Sequence, residues 1–215
     1  MMRYENSYFY YIWKPHWVST TFGPTEHSFL ELLIAAQSPE ICSLENVRWA
    51  DSEHGLVNRL DNATAWLLFF AKNQIIFNAY KKLQADGNVE KVYYADLFGK
   101  VTHDHVIQDN IYHHYSDNSR MTLDPKLWRG KWNSAETKIQ CVYYDEYTNI
   151  STCKIIIKKW VRHQIRIHSS IIGHHIIWDR VYCPKSSKQQ YRWKNAICLW
   201  STGIHILNME QYIQQ

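Results

Sequence analysis

The sequence predicts an α+β fold in which helices flank a mixed, largely antiparallel sheet. Runs rich in β-branched and aromatic residues alternate with turn residues, and a few segments instead carry apolar residues at helical spacing. No long linker rich in Pro, Gly or Ser divides the 215 residues, and this length is ample for a core of its own. The length alone allows one domain or two small ones.

The amino-terminal part begins with an aromatic strand from Tyr8 to Trp13. This strand should end at Lys14 and Pro15, because proline cannot donate a hydrogen bond to a sheet. A helix is expected over residues 27–36. Its apolar face would comprise Phe29, Leu32, Leu33 and Ala36.

The next predicted strand is the apolar run from Trp66 to Ala71. Asn73 can then cap a helix, because its short side chain can accept a hydrogen bond from the first turn. The turn Asp86-Gly87-Asn88 ends this helix. The predicted apolar face of the helix comprises Ile75, Ile76, Ala79, Tyr80 and Leu83.

The rest of the chain is predicted to contain mainly strands. Val89 to Phe98 alternates as a strand does, whereas the polar residues 100–124 should form only short strands and loops. A hairpin is expected over residues 137–157, turning near Asn149, because both arms are rich in β-formers. Residues 161–172 have helical spacing.

Composition argues against a metal site, a disulfide framework and a membrane span. The five cysteines include no Cys-x-x-Cys pair, and the twelve histidines have no Cys or carboxylate partner at ligand spacing. No apolar stretch approaches the ~20 residues of a membrane helix, and no signal peptide pattern is present. We expect a cytoplasmic monomer without a metal.

Positive charge is concentrated between Ser151 and Lys194, where ten Lys or Arg residues face a single acid, Asp179. A basic face binds polyanions because each neutralised phosphate releases counterions. A basic surface with no ligand is the alternative for this segment. The basic residues are Lys154, Lys158, Lys159, Arg162, Arg166, Arg180, Lys185, Lys188, Arg192 and Lys194.

One short segment has the composition expected of a catalytic loop. Asn58-Arg59-Leu60-Asp61 places a guanidinium and a carboxylate two residues apart, just ahead of the apolar run that begins at Trp66. An Asp just before a buried strand should have a fixed position. Taken alone, Asp61 could equally be a helix cap or a turn residue.

Four motifs in order resemble the RluA-type family of RNA pseudouridine synthases. Asn58-Arg59-Leu60-Asp61 resembles the family's His-Arg-Leu-Asp, with Asn at the first position. Tyr11 to Pro15 resembles its strand ending in Lys-Pro, and Lys91 to Ala95 its Lys-x-Tyr-x-Ala strand. Arg162 to His168 contains its His-Gln-Ile-Arg motif, followed at the family's distance by Asp179-Arg180-Val181-Tyr182.

The resemblance implies the pseudouridine synthase catalytic fold, with a central RNA-binding cleft, and the isomerisation of specific uridines in tRNA or rRNA. This reaction breaks the bond from N1 to C1′, turns the uracil and joins C5 to C1′, and it requires no cofactor. Asp61 would be the catalytic carboxylate, either attacking C1′ or drawing a proton from the sugar. The chain would comprise a single catalytic domain over residues 1–215, without a separate amino-terminal RNA-binding domain.

The resemblance also assigns roles to residues outside the Asp61 loop. Tyr93 would stack on the target base, and Arg166 would pair with Asp61 within ion-pair reach. Simple core packing is the alternative for Tyr93, as a surface ion pair is for Arg59. The residues expected to contact RNA are Arg59, Lys158, Lys159, Arg162, His163, Gln164 and Ile165.

Two other functions are consistent with the same residues. A catalytically silent RNA-binding protein could share the fold, although retention of Asp61, Tyr93 and Arg166 argues against it. An unrelated RNA-binding module could use aromatic strands to stack bases, and it would lack a carboxylate in a cleft.

Tryptophan stands at four positions where the family has glycine: Trp17, Trp66, Trp160 and Trp178. Glycine is only 7 of 215 residues whereas tryptophan is 10. One hypothesis is that some of these codons are UGA and encode glycine in the source organism, with Trp132 and Trp193 as further candidates. The alternative is that genuine tryptophans grip RNA or fill local gaps.

Overall fold

The computed structural model describes residues 3–21, 55–188 and 196–213. These residues form two compact units, one of residues 1–89 with 200–215 and the other of residues 90–199. The expected strands and few helices are present, so the α+β prediction is confirmed. The expectation of a single domain stays a prediction, as does the helix over residues 27–36, which lies outside the described residues.

Among its described residues, the first unit contains four strands in the order β1-β2-β3-β9. β2 pairs antiparallel with β1 and β3, whereas β3 pairs with β9 in parallel. Pro15 directly follows β2, as predicted. The strands are β1 (Arg3–Glu5), β2 (Phe9–Lys14), β3 (Ala65–Ala71) and β9 (Leu199–Ile206).

Two helices of the first unit, α1 (Gln74–Ala85) and α4 (Met209–Ile213), contribute to its core. Asn73 caps α1 as predicted, since its Oδ1 accepts a hydrogen bond from the N–H of Ile76 at 3.0 Å. The predicted apolar face of α1 was wrong at one position, because Ile75 is 61% exposed while Phe77 is buried. The shared core comprises Phe9, Val57, Phe69, Ala71, Ile76, Phe77, Ala79, Tyr80, Leu83, Val89 and Met209.

The described part of the second unit contains five strands in the order β4-β8-β7-β5-β6. The expected hairpin joins β7 to β8, and Asn149 adopts the left-handed conformation (φ 54°) at its turn. The strands are β4 (Val89–Phe98), β5 (His105–His114), β6 (Met121–Thr122), β7 (Trp128–Asp145) and β8 (Ile150–Ile157). A 3-10 turn (Pro125–Leu127) and the helices α2 (Gln164–Ile171) and α3 (Lys185–Lys188) complete it.

The prediction of only short strands over residues 100–124 was wrong, because β5 has ten residues. β5 is polar, and its pairing with β7 extends from His114 with Trp128 to His105 with Ile139, so local sequence gave no signal for it. Helix α2 packs through Ile167 against a core that includes residues of β5 and β7. The members of this core are Ile111, Met121, Ala135, Val161, Ile167 and Tyr182.

Positive φ angles occur at six non-glycine residues of the described ranges. Two are Asn, one is His, and three are Trp. Asn and His enter the left-handed region more readily than most residues, whereas a bulky side chain does so rarely. The six are Trp17 (63°), Trp66 (84°), Asn149 (54°), His163 (57°), Trp178 (66°) and Asn208 (60°).

Candidate active site

The loop that carries Asp61 is anchored to β3 by Asn58. The Asn58 side chain donates to the carbonyl of Leu67 at 3.2 Å and accepts from the N–H of Phe69 at 2.8 Å. These two bonds replace a strand partner for β3, and Asn58 is 4% exposed. Asn at the first position of the motif therefore has a structural role, and the chain enters the Asp61 loop from a fixed point.

Lys14 holds the same loop from the other side. Its Nζ donates to the carbonyls of Pro15 at 2.9 Å, Val18 at 2.8 Å and Asn62 at 3.3 Å. The side chain is fully buried, and burial lowers the pKa of Lys14 to about 8, although the nearby Asp61 carboxylate opposes this shift. Lys14 is still protonated at neutral pH, and its three N–H groups match the three acceptors.

Further hydrogen bonds fix the backbone on both sides of Asp61. The Trp17 N–H donates to the carbonyl of Asn62 at 2.7 Å, and His16 Nδ1 donates to the carbonyl of Ala63 at 2.6 Å. The Thr20 hydroxyl bonds both the carbonyl and the N–H of Leu60. Asp61 itself is half-buried. The loop is thus held through its backbone, and none of these bonds uses the Asp61 carboxylate.

Replacement of Lys14 by methionine should lower the free energy of unfolding by about 2–3 kcal/mol, because three buried carbonyls lose their donor. Urea unfolding would measure this change. Lys82→Met is the matched control, since Lys82 is exposed on α1 and such surface changes usually stay within about 0.5 kcal/mol. Equal stability of the two variants would show that Lys14 does not hold the loop.

In the second unit, Arg166 on α2 is fixed by Asp179. Arg166 Nε lies 2.8 Å from Asp179 Oδ2, and Arg166 Nη2 lies 2.8 Å from Asp179 Oδ1. Asp179 Oδ1 also accepts from the N–H groups of Val181 and Tyr182. Both side chains are buried, and a bidentate pair of this kind sets the plane of the guanidinium. The predicted pairing of Arg166 with Asp61 stays a prediction.

Tyr182 supports the same guanidinium from its ring face. The Arg166 guanidinium carbon lies 5.3 Å from the centre of the Tyr182 ring, within cation–π range. The Tyr182 hydroxyl accepts from the N–H of Met121 at 2.8 Å and lies 2.9 Å from His163 Nδ1. Tyr182 therefore connects Arg166 to β6 and to the start of α2.

Two buried histidines of the second unit should make its stability depend on pH. Burial lowers the pKa of His163 to about 2, with a further contribution from Arg166, and burial lowers the pKa of His168 to about 4. Both pKa values lie below the ~6.5 of an unfolded chain. The unfolded state thus binds protons that the folded state excludes. The contribution of these two histidines to the free energy of unfolding is therefore fully present above pH 6.5, and it decreases as the pH falls.

At pH 5 each of these histidines should reduce the free energy of unfolding by about 2 kcal/mol relative to pH 7.5. Unfolding curves at the two pH values would measure the loss. His168→Gln should remove about 2 kcal/mol of it, whereas the exposed His205→Gln should not change it. The part that remains in His168→Gln should come from His163. A pH dependence of unchanged size in His168→Gln would show that burial does not lower the pKa of His168.

The other predicted site residues differ in exposure. Lys158 and Lys159 are exposed, and Arg59 and Arg162 are half-buried. Buried residues are Tyr93 on β4, which pairs with Ile155, and His163, Gln164 and Ile165 at the start of α2.

The amide of Gln164 is committed within the protein. It donates to the Glu136 carbonyl and to the Thr137 hydroxyl, and it accepts from the N–H of Val161. Contact of Gln164 with RNA stays a prediction, and the exposed lysines are the better-placed members of the predicted RNA-binding set.

Sequence reasoning missed two residues that orient the site. Asp179 was noted only as the single acid of the basic segment and as the start of the motif Asp179-Arg180-Val181-Tyr182, and neither observation identified it as the partner of Arg166. Tyr182 gave no signal beyond its place in the final motif, because its contacts with Arg166 and His163 depend on how the chain folds back on α2.

Neither a metal site nor a membrane span is found in the part of the chain that the structure describes. There, no group of three or more His, Cys, Asp or Glu side chains is arranged to hold a metal ion. None of the helices within residues 3–21, 55–188 and 196–213 has the length and apolar character needed to cross a membrane.

The fold matches solved pseudouridylate synthase domains. Human RNA Pseudouridylate Synthase Domain Containing 1 superposes with a TM-score of 0.72, covering 95% of this chain and 77% of that one at 18% identity. This likeness defines the class of fold.

Curated relatives match the sequence over a shorter part. The tRNA pseudouridine(31) synthase of Saccharomyces cerevisiae is 31% identical over 153 residues, in an alignment that covers 63% of this chain and 37% of that protein. The dual-specificity RNA pseudouridine synthase RluA of Vibrio cholerae is 28% identical over 135 residues, 60% of this chain and 51% of that protein. The chain spans about two fifths to one half of the length of these relatives.

The family model described as RNA pseudouridylate synthase matches residues 11–170. This range is most of the chain and contains the Lys14, Asp61, Tyr93 and Arg166 motifs. The chain belongs to the RNA pseudouridylate synthase family, as the four ordered motifs predicted.

Proposed function

We propose that this protein is an isomerase that converts specific uridines of a structured RNA into pseudouridine, with Asp61 as the catalytic carboxylate. The observation that carries the proposal is the fixed loop, in which Lys14, the Trp17 N–H and Thr20 hold the backbone around Asp61. An enzyme that must act at C1′ of one nucleotide needs a carboxylate that is oriented before the substrate arrives.

The reaction conserves all atoms except for exchange of one proton with water. The bond from N1 to C1′ breaks, the uracil turns, a bond from C5 to C1′ forms, and the C5 proton is lost. No oxidant, energy source or metal enters this balance, so we propose that none is used. Asp61 begins the reaction either by attack on C1′ or by withdrawal of a sugar proton.

Tyr93 and Arg166 complete the proposed catalytic set. The ring of Tyr93 would stack on the uracil. The Arg166 guanidinium would pair with the Asp61 carboxylate and stabilise its negative charge. Its bidentate bonds to Asp179 support such a role because they keep it in one orientation.

The proposed substrate is tRNA or rRNA. The relatives support RNA in general, since one is named for tRNA and another for dual specificity. The exposed Lys158 and Lys159, with Arg162 and Arg59, would contact phosphates, which position an RNA without reading its sequence. The target base must leave its stack before it can reach the carboxylate. A cytoplasmic location and a monomeric state are part of the proposal.

Tritium release tests the activity. Purified protein is incubated with tRNA or rRNA transcripts that carry tritium at C5 of uridine, and tritium in water is counted, because the isomerisation expels the C5 proton. Release from one transcript, followed by mapping of the pseudouridine, would identify the substrate. Binding of both RNAs without release would instead identify a catalytically silent RNA-binding protein.

A further inference from the structure

Three tryptophans occupy backbone conformations that normally require glycine. Trp17, Trp66 and Trp178 have φ angles of 63°, 84° and 66°. For an L-residue this region brings Cβ against the following carbonyl oxygen, whereas glycine has no Cβ and enters it freely. Five of the glycines in the described ranges have positive φ in the same molecule.

A random distribution of residue types does not explain why three of the six non-glycine residues with positive φ are tryptophan. The other non-glycine residues with positive φ are Asn149, His163 and Asn208, whose types are several-fold enriched in that region. Every remaining case is tryptophan, which is only 10 of 215 residues. Glycine, at 7 of 215, is about 3% of the chain against the usual ~7%.

Each position adjoins a residue that organises the candidate active site. The Trp17 N–H donates to the carbonyl of Asn62, next to Asp61. Trp66 pairs with Lys14 across β2 and β3. Trp178 immediately precedes Asp179, the partner of Arg166. At Trp17 the useful contact is made by the backbone, and the residue is 51% exposed, so the side chain contributes little there.

We propose that positions 17, 66 and 178 are glycine in the protein as its source organism makes it. The codons would be UGA, which some genetic codes translate as tryptophan and others as glycine. Glycine would give the backbone around Asp61 and Asp179 its required conformation without strain. The candidates Trp160 and Trp132 do not have positive φ and are left as tryptophan, and Trp193 lies outside the described residues.

One contact favours tryptophan at position 66. The Trp66 ring centre lies 5.1 Å from that of Trp13 and 5.8 Å from that of Trp200, so the three rings form a tilted row. Glycine at position 66 would lose these ring contacts, and this loss would offset part of the stability gained when the backbone strain is removed. Position 17 has no ring contact of this kind within the described residues and gives the cleanest test.

A comparison of glycine with alanine separates backbone strain from loss of the indole. Both substitutions remove the ring, and only alanine keeps the Cβ. At positions 17, 66 and 178 the glycine variant should melt about 2–4 °C higher than the alanine variant. Trp132 is the matched control, because it is 55% exposed and lies within β7 without positive φ, and there alanine should melt higher than glycine. Alanine equal to or above glycine at all three positions would overturn the proposal.

The residue itself can be identified by peptide mass spectrometry of the protein purified from its source organism. The expected result is the residue mass of glycine at positions 17, 66 and 178. A tryptophan mass at any of them overturns the proposal for that position. Both measurements are independent of catalysis, so loss of the proposed function would not affect them.

Discussion

The Asp61→Asn variant should lose pseudouridine formation by at least about 1,000-fold, the scale on which enzymes lose rate when a catalytic carboxylate is removed. The amide keeps the shape of the side chain and removes its charge. The loop should not move, because Lys14, the Trp17 N–H and Thr20 bind backbone atoms of residues 60 and 62. RNA affinity should change by less than about twofold, because basic groups dominate it.

Tritium release and filter binding on the same preparation would measure both quantities. Asp109→Asn is the matched control, since Asp109 is an exposed carboxylate on β5, and this variant should retain full activity. Substantial turnover by Asp61→Asn would remove Asp61 from the mechanism.

The Asp179→Asn variant should lose about 3–5 kcal/mol of unfolding free energy, because it removes one charge of a buried, bidentate ion pair. The amide oxygen can still accept from the N–H groups of Val181 and Tyr182, so the loop geometry itself is retained. Activity should also decrease, because the guanidinium is no longer held by two bonds in one plane.

A double variant separates the two effects. Arg166→Met with Asp179→Asn removes both charges and should recover most of the stability, since neutral replacement of a buried ion pair is often tolerated. It should nevertheless remain inactive if Arg166 takes part in the reaction. Urea unfolding and tritium release would be compared across the two single variants and the double variant. Full activity in the double variant would assign Arg166 a purely structural role.

Local sequence signals predicted much of the secondary structure. The strand from Val89 to Phe98, the cap at Asn73 and the turn at Asn149 were all correct, because each depends on neighbouring residues. The errors arose where contacts between residues far apart in the sequence determine the local structure. β5 is stabilised by pairing with β7, and the orientation of α1 turns Phe77 inward and Ile75 outward.

The candidate site was predictable to a similar extent. The Asp61 loop and the Arg166 helix follow from ordered motifs along the chain. The partners that fix this loop and this helix do not follow from the motifs. Asp179, for example, reaches Arg166 only after the chain has folded back. Likewise, no spacing rule shows that Lys14 turns inward to three carbonyls.

The position of β9 determines the order in which the protein can fold during synthesis. The second unit is complete once residue 199 has left the ribosome, whereas the first unit, begun at the amino terminus, still lacks β9 and α4. At about 5–20 residues per second, roughly ten seconds separate the synthesis of β3 from that of its parallel neighbour. During this time Ala65 and Trp66 of β3 lack the partners that β9 provides, whereas residues 55–58, which are made earlier, can already bond the rest of that edge. The latest-made strand therefore closes the earliest-made unit.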